Sequence, residues 1–336
     1  MKIILIFIFT TLFDLSYSEE VNIFTTRHYE SDFKLYSKFT KETGIKVNIV
    51  SGKSKPLEKR IIEESDNCIG DIFILADAGR LMSAEKKGLF KSIEENYFKT
   101  VIPENFRTKY WFAITKRARI LFYNPAYTNI NELSGIDYED LASPKWRNSI
   151  AIRQSNNVYN QSLVASLIKI NGLNSTKEWA NKVVKNFVRE PQGNDRSQIL
   201  AVASGNAKIA VANTYYYALM LSGQKGDEQK FAATKVKPLF PNQNNRGVHM
   251  NISGAGILKN APNTKNAVTF LKFLLTQDAQ SHIVNNTFEF PIIENVEPND
   301  LVKNMGKFKQ DLKTPVSSYG NLQKESFKLM KDAGWK

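Results

Sequence analysis

Residues 21–50, VNIFTTRHYESDFKLYSKFTKETGIKVNIV, decide the fold class. Val21 to Thr25 is a short β-type run. From Ser31 to Glu42 the apolar residues Phe33, Leu35, Tyr36 and Phe39 fall at near-helical spacing, and Gly44 supplies a C-terminal stop. Ile45 to Val50 is again β-type. A strand, a helix and a second strand within thirty residues are the unit of an α/β sheet.

The rhythm recurs along the chain. Strands are expected at 71–75, 120–123, 149–153, 208–213 and 254–258. Helices are expected at 80–87, 158–170, 176–186, after 213, and at 267–275, 278–284 and 318–333. The 336 residues, 42% of them hydrophobic, are enough for a large core and allow two domains. No repeat at solenoid periods is present.

The N-terminus reads as a leader. Lys2 precedes an apolar run from Ile3 to Phe13, and Ser16 and Ser18 occupy the small-residue positions of a cleavage site before Glu19. That run is too short to span a bilayer, and no cysteine follows it for a lipid anchor. The expectation is a signal peptide over 1–18 and a mature chain exported across the inner membrane into the periplasm. The net charge of +13 is spread along the chain without a nucleic-acid-binding motif, so it reads as a basic surface. Cys68 is the single cysteine; it reads as a small buried residue, and no intramolecular disulfide can form.

Tyrosine is the informative residue type. Tyr29 lies between the first strand and the first helix. Tyr159 falls in the first turn of the helix after the 149–153 strand. Tyr215, Tyr216 and Tyr217 follow the 208–213 strand and open a helix. Open α/β sheets bind ligands outside the carboxyl ends of their strands, and helix N-termini there favour negative charge. A phenol is neutral at pH 7, but a bound cation favours its deprotonated form. Phenolate is a hard anionic donor suited to a hard cation such as Fe(III). Tyrosine also packs its ring in cores and stacks on organic cations, so spacing alone leaves metal and organic ligand both open. Adjacent helical residues point about 100° apart, so two of the three consecutive tyrosines are expected at a site and the third elsewhere. There is no cysteine cluster for zinc or iron–sulfur and no EF-hand run for calcium. With three histidines and no two-His-one-carboxylate spacing, an iron oxygenase is not expected.

Four stretches resemble one family. Val21–Lys46, Arg153–Ile168 (RQSNNVYNQSLVASLI), Pro191–Met220 (PQGNDRSQILAVASGNAKIAVANTYYYALM) and Arg246–Asn263 (RGVHMNISGAGILKNAPN) are similar to the ferric-iron-binding proteins of ABC transporters, in particular the tyrosine-rich cyanobacterial branch called FutA. The resemblance runs through nearly the whole mature chain. It implies a two-lobed periplasmic binding fold, each lobe a central sheet flanked by helices, with a hinge between: one lobe from 19–115 plus 245–290, the other from 116–244 plus 291–336. It implies that Tyr29, Tyr159, Tyr215 and Tyr216 coordinate Fe(III), the transported ligand, and that a monomer hands it to an inner-membrane ABC permease. His28 is open between ligand and bystander; His249 and His282 read as structural. Some relatives place a glutamate ligand where this chain has Ala76, so Asp77 reads as a turn or cap residue. Four tyrosinates on Fe(III) total −1; Arg27, Arg153 and Arg196 can offset that charge or hold a synergistic anion such as carbonate. The rivals are the same fold binding a small organic cation, a polyamine or thiamine, and an iron-protecting protein inside the cell if the leader is not cleaved.

Overall fold

The computed structural model describes residues 19–27 and 29–336. The leader read over 1–18 and His28 lie outside the described residues.

The elements follow in chain order as β1 (Glu20–Thr25), α1 (Glu30–Thr43), β2 (Lys46–Ser51), α2 (Ser54–Glu64), β3 (Ile72–Ala76), α3 (Ala78–Lys86), α4 (Asn96–Val101), β4 (Trp111–Tyr123), β5 (Ile150–Ala151), α5 (Val158–Asn171), α6 (Leu173–Val183), α7 (Asp195–Ala203), β6 (Ile209–Asn213), α8 (Thr214–Leu221), α9 (Asp227–Thr234), β7 (Lys237–Leu239), β8 (Met250–Ile257), α10 (Thr264–Leu274), α11 (Gln277–Thr287), β9 (Phe290–Pro291), α12 (Asp300–Lys303) and α13 (Ser317–Asp332). The α/β class expected from the pattern is what forms.

The strands join in the order β2-β1-β3-β8-β4-β6-β5. β1 pairs in parallel with both β2 and β3, as the opening strand–helix–strand unit requires. β8 then runs antiparallel between β3 and β4. β4 is the long member. Its first part, Trp111–Ala118, pairs with β8, with a bulge between Ala113 and Thr115. Its second part, Arg119–Phe122, pairs with β6. One strand therefore passes from a sheet region built on β1–β3 to another built on β5 and β6, and the C-terminal ends of β1, β3 and β6 face a common cleft.

Burial explains why the elements form. Phe39 of α1 and Phe24 and Phe73 of the strands are fully buried in the larger core. A smaller core gathers Trp146, Leu163, Trp179 and Trp335 beneath β5 and α5. Gly44 ends α1 at φ +77, its N–H donating to the Thr40 carbonyl; a residue with a Cβ is strained there. Cys68 is buried, consistent with a small core residue.

β4 and β8 are longer than the sequence suggests. Strands expected at 120–123 and 254–258 begin at Trp111 and Met250. Lys116, Arg117 and Arg119 interrupt the apolar pattern of β4, and Asn251 and Ser253 that of β8. Arg117, Arg119, Asn251 and Ser253 are buried and paired inside the fold, and the half-buried Lys116 lies over the Phe106 ring, so the alternation rule fails where polar residues face inward. By contrast, the strand expected over 149–153 forms only at Ile150–Ala151.

α13 closes the cleft from behind and packs on α3 and α5. Gly320 makes this possible: a Cβ there would lie 2.2 Å from Met82 Cβ and 3.1 Å from the Gly79 carbonyl oxygen. Gly320→Ala is expected to destabilise the protein by roughly 1–3 kcal/mol through overpacking. Urea unfolding reads this, with Gly44→Ala as a solvent-exposed strain control that leaves the α3–α13 contact intact.

Candidate metal centre

Each tyrosine of the cleft stands at the N-cap or in the first turn of a helix. Tyr29 stands at the N-cap position of α1, its backbone extended, four residues past the end of β1. Tyr159 is the second residue of α5; the Asn157 side chain caps this helix by accepting from the N–H groups of Tyr159 and Asn160. Tyr215 and Tyr216 lie in the first turn of α8, which starts directly after β6, and the Asn213 N–H donates to Asp195 at 2.8 Å.

These residues line one pocket of about 370 Å³ together with Arg27, Arg117, Arg196 and Glu289. Tyr215 Oη lies 3.3 Å from Tyr159 Oη, bringing together side chains 56 residues apart. The Tyr215 and Tyr216 rings sit against each other at 4.2 Å between centroids. Tyr217 points away: its hydroxyl donates to the Val236 carbonyl at 2.7 Å and its ring packs on Phe122. The helical offset divides the three consecutive tyrosines as their spacing requires.

Two buried carboxylates flank the phenols. Glu289 is 1% exposed and accepts from Arg27 at 3.3 Å, Arg117 at 3.0 Å and Thr115 Oγ1 at 2.6 Å. Arg27 also forks onto Asp32 through Nε at 3.2 Å. Asp195, fully buried, pairs with Arg119 at 3.1 Å and with Arg153 at 3.5 Å. The guanidinium carbons then lie over phenol rings: Arg27 at 4.9 Å from the Tyr29 centroid, Arg117 at 5.1 Å and Arg153 at 5.8 Å from that of Tyr159. Arg196 lines the pocket and donates to Gln229 at 3.4 Å.

Sequence reading singled out Arg27, Arg153 and Arg196 but missed Arg117, Arg119, Glu289, Asp195, Arg80 and Lys225. Arg80 and Lys225 also line the pocket. The available signal was charge in apolar surroundings: Arg117 and Arg119 in a strand, and Glu289 between Phe288 and Phe290. A charge in such a setting is either paired or displaced. Nε and Nη2 of Arg117 are buried without a protein acceptor among the described residues.

Ala76 forms part of the pocket wall, so no acidic side chain enters from that position. Asp77 caps α3, accepting from the Gly79 N–H, and its carboxylate also accepts from Ser162 Oγ at 2.9 Å and Asn251 Nδ2 at 2.7 Å. Its φ of +124° is unusual for a residue with a Cβ, and three hydrogen bonds hold it there. His249 is buried, and burial and then Arg119 push its imidazole down to about 3. His282 Nε2 lies 2.8 Å from the Ser31 carbonyl oxygen, joining α11 to α1. Among the described residues, no group of three or more His, Cys, Asp or Glu side chains is placed to hold a metal.

The electrostatics favour neutral phenols in the metal-free protein. Burial raises the Tyr29 phenol well above its ordinary value, and Glu289 adds to the effect against Arg27 and Arg117. Burial raises Tyr215 as well, with Tyr159 and Tyr216 contributing. Tyr216 is raised by burial and then Tyr159. For Glu289, burial pushes the carboxyl up, but Arg27 and Arg117 outweigh it and hold it below the usual 4.5. The pocket thus sets the neutral phenols of Tyr29, Tyr215 and Tyr216 beside an ionised Glu289.

A sheet divided by one long shared strand, with a polar cleft at strand ends, is an arrangement found among solute-binding proteins. The chain belongs to the bacterial extracellular solute-binding protein family, whose profile matches residues 67–309. It is 44% identical over 320 residues to Iron uptake protein A1 of Synechocystis, covering 95% of this chain and 88% of that protein. Its fold superposes on Trichodesmium FutA (IdiA) in complex with iron and citrate ligands at a TM-score of 0.91, with 44% identity over 94% of this chain and 100% of that one. Apo FutA2 from Synechocystis gives 0.89, with 39% identity over 95% and 100% of the two chains. The architecture is thus that of the two-lobed binding proteins. Among the described residues, no helix is long and apolar enough to cross a membrane.

Glu289→Gln is expected to cost roughly 3–5 kcal/mol, because Arg27 and Arg117 lose the carboxylate that neutralises them. The folded-state value of Glu289 is depressed, so its contribution is present above pH 4.5 and is lost as pH falls through the lower folded value. Urea unfolding of metal-free protein between pH 7 and 3 checks this: the variant should be weaker at neutral pH and should lose part of the wild type's acid slope.

Proposed function

We propose that this protein captures Fe(III) in the periplasm through the phenolates of Tyr29, Tyr159, Tyr215 and Tyr216, and delivers it to an inner-membrane ABC importer. The observation that carries this reading is the meeting of Tyr159 and Tyr215, from separate segments, at 3.3 Å in a pocket that Tyr29 and Tyr216 also line. The iron-binding and iron-uptake names of the relatives support it. The protein is read as a carrier that leaves its cargo chemically unchanged, and not as an enzyme.

The chemistry follows from charge. A hard trivalent cation favours anionic oxygen, and four phenolates with Fe(III) carry −1. Glu289 adds another negative charge. Arg117 and Arg27, the latter also paired with Asp32, offset part of this charge, and their guanidinium groups already lie against the rings that would become phenolates. Arg153, which shares Asp195 with Arg119, and Arg196 remain available to a synergistic anion such as carbonate. The pocket's cations Arg27, Arg80, Arg117, Arg196 and Lys225 outnumber its carboxylates, which disfavours a polyamine or thiamine.

The lobes we assign are 19–115 plus 245–290 and 116–244 plus 291–336. Tyr29 belongs to the first and the other three tyrosines to the second. Binding would join the lobes across the cleft, with β4 as a strand that runs from one lobe into the other, and exclude water from the metal. Lobe opening, phenol protonation or reduction of the metal would each weaken the hold and permit release.

Optical titration of metal-free protein with chelated Fe(III) tests the reading. A visible charge-transfer band is expected, and it should be lost or strongly weakened in Tyr215→Phe and Tyr216→Phe. No band at excess Fe(III) would end the assignment. Because Tyr29, Tyr215 and Tyr216 start as neutral phenols, loading should release about one proton per ligating phenol, and log affinity should rise by about one per pH unit for each. Calorimetry in buffers of different ionisation enthalpy measures the proton count.

A further inference from the structure

A second and larger cavity, about 730 Å³, adjoins the tyrosine pocket and shares Thr26 and Arg80 with it. It is framed by the start of α2, by α3, by the first turn of α5 and by α13. Lys53, Lys55, Arg80 and Lys87 line it against a single carboxylate, Glu58. That carboxylate is already engaged by Lys87 and by Ser54 Oγ, the latter at 3.2 Å. Lys53, Lys55 and Arg80 form no ion pair among the described residues. Three cations without an ion-pair partner among the described residues thus line one concave surface, a place where an anion gains from focused potential. The walls are not purely polar: Pro56, Val158 and Phe327 also contribute.

We propose that this cavity binds the organic polycarboxylate that accompanies the incoming metal, with its carboxylates on Lys53, Lys55 and Arg80 and its carbon skeleton against Pro56, Val158 and Phe327. Fe(III) hydrolyses in neutral water unless hard anionic oxygen ligands hold it, so it reaches a carrier as a complex. Arg80, shared by both cavities, places a displaced or partly displaced chelator beside the phenols that take the metal. A compact inorganic oxyanion would satisfy the cations but leave the apolar wall uncovered, which is why a carbon-bearing polyanion suits the site better. The purpose of the site rests on the Fe(III) reading; its existence does not.

Calorimetric titration of the metal-free protein with metal-free citrate tests the site directly. One citrate per chain is expected. Lys53→Glu/Lys55→Glu, a pair of exposed positions outside the tyrosine pocket, should weaken it at least tenfold, with Lys53→Gln/Lys55→Gln intermediate. Tyr215→Phe should leave citrate binding within about twofold while removing the optical band. The proposal is overturned if wild type does not bind citrate, if charge reversal leaves the affinity unchanged, or if Tyr215→Phe abolishes it, which would put citrate in the tyrosine pocket. It is also overturned if inorganic phosphate binds as tightly as citrate, which would make the cavity a general oxyanion site. The optical band on the same samples keeps the two readings apart. Citrate binding without a band ends the iron assignment alone; a band without citrate binding ends this one alone.

Discussion

The cleft depends on one buried ionic arrangement: the Glu289 carboxylate held between Arg27 and Arg117. The three groups come from the loop after β1, from the middle of β4 and from the turn after α11, and none is more than 6% exposed. A buried pair of this kind contributes little net stability, since desolvation consumes most of the Coulomb gain, but losing one partner is costly. Its consequence is positional. Arg27 is held over Tyr29 and Arg117 over Tyr159, so one carboxylate sets the place of both phenols. Asp195 repeats the device on the other side, joining Arg119 and Arg153 and accepting from the N–H that precedes α8. The tyrosines stand between two such clamps.

Asp77 serves the same cleft by another route. Its side chain ties α3, α5 and β8 together while its backbone keeps a φ that most residues avoid. The preceding residue, Ala76, is left with a methyl at the pocket wall. With no carboxylate there, Glu289 is the carboxylate that lines the pocket, and under the proposed function phenolates would supply the remaining anionic oxygens. This is consistent with a pocket whose phenols are pushed up by burial until a strong cation displaces their protons.

Much was legible along the chain. The opening strand–helix–strand unit, the helical offset that sends Tyr217 to Phe122 and Val236, and the repeated placement of tyrosines after strands all follow from local rules, because backbone periodicity and helix geometry act over a few residues. Of the charged half of the centre, Arg27, Arg153 and Arg196 were legible, but Arg117, Arg119, Asp195 and Glu289 were not. Lys116, Arg117 and Arg119 interrupt the apolar pattern of β4, and Asn251 and Ser253 that of β8, so both strands looked shorter than they are. Glu289 gave no signal beyond its phenylalanine neighbours.

The sequence by itself determined the α/β class, the elements that carry the tyrosines and the direction in which each helix starts, since these depend on side-chain spacing and capping within one turn. Only the tertiary structure decided which of those side chains meet. Tyr159 and Tyr215 come within 3.3 Å because β4 carries the chain between two sheet regions and because buried charges, paired over separations of up to 262 residues, fix the cleft between them. Such pairings are set by the shared low-dielectric interior, and no local pattern in the chain encodes them.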